Sequence, residues 1–209
     1  MASLKMPQLL IDTDVFCKLT VCGLLSDAIG LLNAGISDCA RLPALQHMLR
    51  KGKLRKLYGD QAADSMIPVA EQIANIPAPN TAWLNKLVQI QAIDPGEAQL
   101  FASAAESGLL VLTGDKRSLQ ALKSVADFPA ALTGRIVVFE AILLALCDQL
   151  GPEVVRAKIQ PLVTAENMVK SCFSAGNNDP QDCLLSYYRS LVAELAPLVL
   201  WNPRPGANP

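Results

Sequence analysis

The chain has 209 residues, 51% hydrophobic and 18% charged, with 18 Lys+Arg against 19 Asp+Glu for a formal net charge of −1. That balance excludes bulk disorder and any global attraction for polyanions, so an anionic partner has to be gripped by a local patch or through a metal ion. The longest apolar tract, residues 136–147, is interrupted by Glu140 and falls far short of the roughly 20 residues that cross a bilayer, so no membrane partner is expected. The start of the chain, Lys5 followed by Pro7, lacks the apolar stretch of a secretory leader, which predicts a cytoplasmic location. Cys17, Cys22, Cys39, Cys147, Cys172 and Cys183 are scattered among apolar neighbours without a CxxC pair, as expected of reduced core residues.

In chain order, residues 8–11 read as a strand ending at Asp12, and 15–32 as a helix broken at Gly23 and Gly30. Residues 36–40 read as a second strand, followed by a helix through Leu42, Leu45, Met48 and Leu49. Residues 60–76 carry apolar positions at helical spacing, terminated by Pro77 and Pro79, and 81–92 repeat the pattern around Trp83, Leu84, Leu87 and Val88. Asp94-Pro95-Gly96-Glu97 opens a helix to Ser107, with Asp94 as N-cap, Pro95 in the first helical position, Glu97 completing an acidic capping box and Gly108 closing it.

Residues 109–112 form a continuous apolar run expected of a strand covered on both faces, followed by a helix over 116–126, a strand over 135–139 and a helix over 140–150. The alternation predicts an α/β fold for residues 1–150, a three-layer α/β/α domain with a short parallel sheet and a helical insertion around 60–92. Residues 151–200 read as a helical extension packed on that domain, with helices at 153–163 and 182–195, and 201–209 as an irregular Pro- and Gly-rich tail. Apolar Leu184, Leu185, Leu191, Leu195, Leu198 and Leu200 suit either the core or a homodimer contact.

In a parallel sheet, ligands gather beyond the carboxyl ends of the strands. Asp12 and Asp115 each follow a strand, and Glu97 opens the helix that runs antiparallel to the second of these, so all three carboxylates are expected at one sheet edge. Clustered carboxylates raise one another's pKa unless a cation sits among them, and oxygen-only donors select Mg²⁺ or Mn²⁺. That set suits metal-assisted phosphodiester hydrolysis. Singly, Asp12 and Glu97 also read as helix caps and Asp14 as a first-turn acid favoured by the helix dipole.

The segments Leu9-Leu10-Ile11-Asp12-Thr13-Asp14-Val15-Phe16, Gly96-Glu97-Ala98 and Leu110-Val111-Leu112-Thr113-Gly114-Asp115-Lys116-Arg117 together resemble the hallmark blocks of PIN domains, over roughly residues 8–140. The resemblance implies a Mg²⁺- or Mn²⁺-dependent ribonuclease of the kind found as toxins in bacterial toxin–antitoxin pairs, with RNA as substrate and an antitoxin-like protein as partner. It matches Asp12, Glu97 and Asp115 to the metal-binding acids and Thr13 and Thr113 to supporting hydroxyls. Asp14 stands where the family commonly has Asn or Ser, as an extra ligand. Where family members carry another acid after the second strand, this chain has Arg41, Pro43 and Gln46, with Asp38 on the strand before them.

Lys116 and Arg117 are expected to assist as cations at the phosphate. Arg50, Lys51, Lys53, Arg55 and Lys56 form the densest basic stretch, read either as a grip on the RNA backbone or as a solvated helix end. Two other functions fit part of the pattern. A catalytically silent PIN-like module would bind RNA or protein. A haloacid dehalogenase-type phosphatase would use Asp12 as nucleophile and Asp14 as general acid, but it wants Thr or Val where this chain has Phe16, and an acid where it has Leu119 and Gln120.

Overall fold

The computed structural model describes residues 7–76, 78–79 and 81–204. The early Lys5, the terminator Pro77 and tail residues 205–209 lie outside the described residues.

Strand β1 (Leu9–Ile11) leads into α1 (Thr13–Val21), and Gly23, at φ +61°, makes the turn into α2 (Leu25–Leu31). Gly30, expected to break this segment, lies inside α2 instead. The expected strand at 36–40 is a short 3-10 turn at Ile36–Asp38 followed by β2 (Cys39–Arg41), because Asp38 turns its carboxylate back to accept from the Gly35 N–H at 3.0 Å. Helices α3 (Ala44–Arg50), α4 (Lys53–Tyr58) and α5 (Asp60–Glu71) follow. Helix α5 stops short of the expected residue 76, and β3 (Ala74–Asn75) takes its place, so the region from 60 to 92 is not wholly helical. After α6 (Thr81–Leu87) come α7 (Pro95–Ser107), β4 (Leu110–Thr113), α8 (Lys116–Leu122), α9 (Phe128–Ala131), β5 (Ile136–Val138) and α10 (Phe139–Leu150).

The five strands form one all-parallel sheet in the order β3-β2-β1-β4-β5, flanked by helices in an α/β/α arrangement. Every residue of β1, β2 and β5 is buried, which is why β1 and β5 read as unbroken apolar runs rather than alternating ones, while β2 ends on buried Arg41. Strand β1 is central, with Ile11 in register with Arg41 on one side and Leu112 on the other. The chain builds outward from β1 through β2 to β3, then crosses to β4 and β5, so the strand order reverses between β1 and β4. Crevices for ligands open at such a point, at the carboxyl ends of the strands.

Beyond residue 150, α11 (Pro152–Ile159), α12 (Asn167–Phe173) and α13 (Pro180–Leu195) bury Val155, Val169, Phe173, Leu184, Leu191 and Leu195 in the same continuous core as β1. Leu198 and Leu200 are buried with them, so these leucines seal the chain's own core. The segment after α13 returns to the sheet: Trp201 N–H donates to the Ile136 carbonyl at 2.8 Å and Gly134 N–H to the Val199 carbonyl at 2.7 Å. That covers the otherwise open edge of β5. Among the described residues, no helix is long and apolar enough to cross a membrane.

Candidate functional site

Asp12 is the residue at which β1 becomes α1. Its N–H donates to the Leu112 carbonyl at 2.9 Å, tying it to β4. Two residues past β4, Asp115 caps α8, its Oδ1 accepting from Arg117 N–H at 2.9 Å and Ser118 N–H at 3.1 Å. The buried Thr113 hydroxyl in turn accepts from Asp115 N–H at 3.4 Å. Glu97 arrives from the other direction, in the first turn of α7. The capping box is reciprocal, with Asp94 accepting from Glu97 N–H and Glu97 from Asp94 N–H, both at 2.8 Å. Gly96 permits the approach of this turn to α3's entry: a Cβ there would stand 3.0 Å from Leu42 Cδ1 and 3.2 Å from Asp94 Oδ1.

Asp12, Asp94, Gly96, Glu97 and Asp115 line one cleft of about 990 Å³ at the point where the strand order reverses, whereas Thr113 and Arg117 do not line it. Asp12, Asp14, Asp94, Glu97, Asp115 and Glu166 supply carboxylates, Lys53 and Lys116 supply cations, and Leu42, Met48, Leu54 and Leu57 form an apolar wall. Leu57 is 71% exposed, the most open large apolar side chain among the described residues.

The carboxyl groups feel one another. Burial pushes Asp12 up from 3.8 to about 7, and the charges of Asp14, Asp94 and Asp115 push the same way against a hydrogen bond from the Thr13 backbone. Burial likewise raises Glu97 to about 8, helped by its hydrogen bond to the Asp115 carboxyl. Asp115 is held below the usual range: burial works against its charge, but the hydrogen bonds from Glu97, Ser118 and Arg117 outweigh it. Burial and the neighbouring Asp115 thus favour the neutral form of Glu97, while Asp115 favours its charged form.

Lys18 is a cation buried beside the cleft, its ammonium 2.5 Å from Asp14 and 2.8 Å from Glu166. Burial opposes its charge, but those two carboxylates hold its pKa up. Asp14 is therefore already ion-paired. Lys116 lies at the cleft with its ammonium 2.8 Å from the buried Glu140 carboxylate, while Arg117 is exposed, 3.7 Å from Asp115. Of the basic stretch, Arg50 pairs with Glu71 at 2.5 Å, and Arg55 with Asp60 at 2.7 Å and Asp64 at 2.8 Å. Lys51, Lys53 and Lys56 are exposed, and only Lys53 of the five lines the cleft. Arg41, in place of a further acid, is buried and turned toward α5 and β3, donating to the Ala70 carbonyl at 2.7 Å and Asn75 Oδ1 at 3.0 Å. Asp38 sits at the opposite, amino end of the sheet.

Sequence reasoning missed Asp94, Lys18, Glu140 and Glu166 as parts of this neighbourhood. Asp94 was legible as a cap, and its place one turn from Glu97 was the available signal. Glu140 was visible as the charge that breaks the 136–147 apolar tract. Glu166 carries no local signal, because its proximity arises from packing of the extension.

The donors are all carboxylate or hydroxyl oxygens, the chemistry of a hard divalent cation. Thr13 Oγ1 is buried without a hydrogen-bond partner at the same cleft. Among the described residues, no three His, Cys, Asp or Glu side chains are grouped closely enough to form a ready-made metal cage. Comparison of the chain with protein-family models, curated proteins and solved structures returns no match.

Proposed function

We propose that the chain is a metal-dependent ribonuclease of the PIN type, cleaving single-stranded RNA in this cleft. The observation that carries the reading is the lining of one cleft by Asp12, Glu97 and Asp115, delivered by β1, α7 and β4 to the point where strand order reverses. Three carboxyl groups held at a crevice against their electrostatic preference cost stability, and a bound cation would compensate that cost.

On this reading Glu97, Asp115 and Asp12 would hold the cation, with Thr13 Oγ1 a buried, unpartnered oxygen at the same cleft. Bound Mg²⁺ or Mn²⁺ supplies charge compensation for the phosphate and an acidified water. Lys53 at the mouth attracts the RNA backbone, and Lys116, held by Glu140, places positive charge beside the reacting phosphate. Leu42, Met48, Leu54 and Leu57 give a base an apolar surface without hydrogen-bond readers, which favours tolerance of sequence over a strict code. The same reading sets the work in the cytoplasm, with an antitoxin-like protein as a partner that would cover the cleft.

The lack of a ready-made metal cage favours a second reading, a silent module that binds RNA without cutting it. Incubation of the chain with labelled single-stranded RNA and Mn²⁺, beside a generic phosphomonoester, separates the two and also tests a phosphatase. Cleavage of RNA that EDTA abolishes supports the nuclease. Binding without cleavage supports the silent module, and release of phosphate from the monoester alone supports the phosphatase.

A further inference from the structure

We propose that Cys172 and Cys183 are a redox-active thiol pair that a hydroperoxide converts to an intrachain disulfide, stapling α12 to α13. The two sulfurs lie 2.9 Å apart, with the Cys172 thiol donating to Cys183 Sγ. A disulfide closes to about 2.05 Å, so the bond asks for less than an ångström of further approach between two helices already packed together. The intervening loop is held in place as well: Asn177 donates to the Ser171 carbonyl at 3.2 Å, and its own carbonyl accepts from Arg156 at 2.5 Å. Cys183 is also the one cysteine of the six that is not buried, so an oxidant in solvent reaches this pair first.

The chemistry balances with a peroxide as the oxidant. Cys183 sulfur attacks one peroxide oxygen, the O–O bond breaks, and Cys183 becomes a sulfenic acid as water leaves. Cys172 sulfur then attacks the Cys183 sulfur, forming the S–S bond and expelling the hydroxyl as a second water. The two thiols lose two protons and two electrons, which reduce hydrogen peroxide to two waters. Cys183 starts the sequence because it is the partner that solvent reaches, and buried Cys172 resolves it because its sulfur already lies against Cys183. In a reducing compartment such a bond is transient and responds to oxidant.

Helix α12 begins at Asn167, directly after Glu166, the acid that pairs with Lys18 at the cleft. The staple therefore restrains the segment that delivers Glu166. The proposal does not depend on what the cleft does.

Trypsin releases residues 171–189 as one peptide that holds both cysteines, since no Lys or Arg lies between Lys170 and Arg189. The intact chain is treated with hydrogen peroxide, alkylated with iodoacetamide, digested and weighed. The expected result is a 171–189 peptide lighter by two hydrogens and free of alkyl groups, restored to two alkylated cysteines by dithiothreitol. Mild acid, which cleaves the Asp179–Pro180 bond, leaves the halves joined only when the disulfide is present. The thermal midpoint of the oxidised chain rises by several degrees and falls back on reduction, because cross-linking restricts the unfolded chain. Cys183→Ser abolishes both changes. Two alkyl groups on the wild-type peptide after peroxide, a bond to another cysteine, or arrest of Cys183 as a sulfinic acid would overturn the proposal.

Discussion

Asp12 N–H donates to the Leu112 carbonyl at 2.9 Å, one residue beyond the Ile11–Leu112 register of β1 and β4. This bond fixes the end of β1 against the strand that carries Asp115, so the cleft's geometry is part of the sheet rather than of a loose loop. Asp12→Asn keeps that backbone bond and removes only charge. The expected outcome is loss of Mn²⁺-dependent RNA cleavage by about 100-fold or more, with a thermal midpoint at pH 8 no lower than that of the wild type. Undiminished cleavage by the variant would remove Asp12 from the chemistry.

The raised acids give stability a defined dependence on pH. Asp12 titrates near 7 and Glu97 near 8 in the folded chain, against 3.8 and 4.5 ordinarily, so between those limits the folded state binds more protons than the unfolded one. Their contribution is complete below about pH 4, is lost as pH rises through 7 and 8, and is flat beyond. The thermal midpoint is expected to fall between pH 5 and pH 8.5, by an amount on the order of 2–4 kcal/mol in stability, and Mg²⁺ or Mn²⁺ restores it at the alkaline end. A midpoint that stays level or climbs over that range contradicts the assigned burial of these charges.

Lys18 bridges Asp14 and Glu166 from a buried position, so Lys18→Met leaves two carboxylates without their counter-charge. Breaking a buried ion pair from one side is strongly destabilising, and because both acids are partly exposed the expected loss is about 2 kcal/mol. Urea denaturation measures it. Glu166→Gln leaves the Lys18–Asp14 pair in place and costs less than about 1 kcal/mol. Equal losses in the two variants would mean that Lys18 does not unite them.

Arg41 ties β2 to α5 and β3 through the Ala70 carbonyl and Asn75 Oδ1. Arg41→Met orphans these acceptors and is expected to cost about 2–3 kcal/mol. Hydrogen exchange should speed up first at Ile76, whose N–H donates to the Arg41 carbonyl at 2.9 Å. Unchanged exchange there would assign Arg41 no role in holding the sheet's outer strand.

Much of the sheet's centre and of the acid constellation was legible because the signals are local. The apolar runs before Asp12 and Asp115 are short, buried on both faces and ended by turn residues, and the Asp94–Glu97 capping box is written in four consecutive residues. Strand β3 was not legible, because it is only two exposed residues joined to β2 by backbone pairing, a contact with no side-chain period. Helix α4 was not legible as a separate helix, its segment reading either as a grip on RNA or as a solvated helix end, since Lys53, Arg55 and Lys56 within it and Arg50 and Lys51 before it mask the single buried Leu54. Glu166 and Lys18 meet across a long sequence separation, where only packing brings charges together.

The central claim is that Glu97 and Asp115, with Asp12 beside them, form the seat of a divalent cation. Anomalous diffraction from a Mn²⁺-soaked crystal tests it most directly. The account predicts a manganese peak bonded to carboxylate oxygens of Glu97 and Asp115, lost in a crystal of Asp115→Asn. A cleft without manganese at millimolar Mn²⁺, or a peak held elsewhere and unchanged in Asp115→Asn, would contradict it.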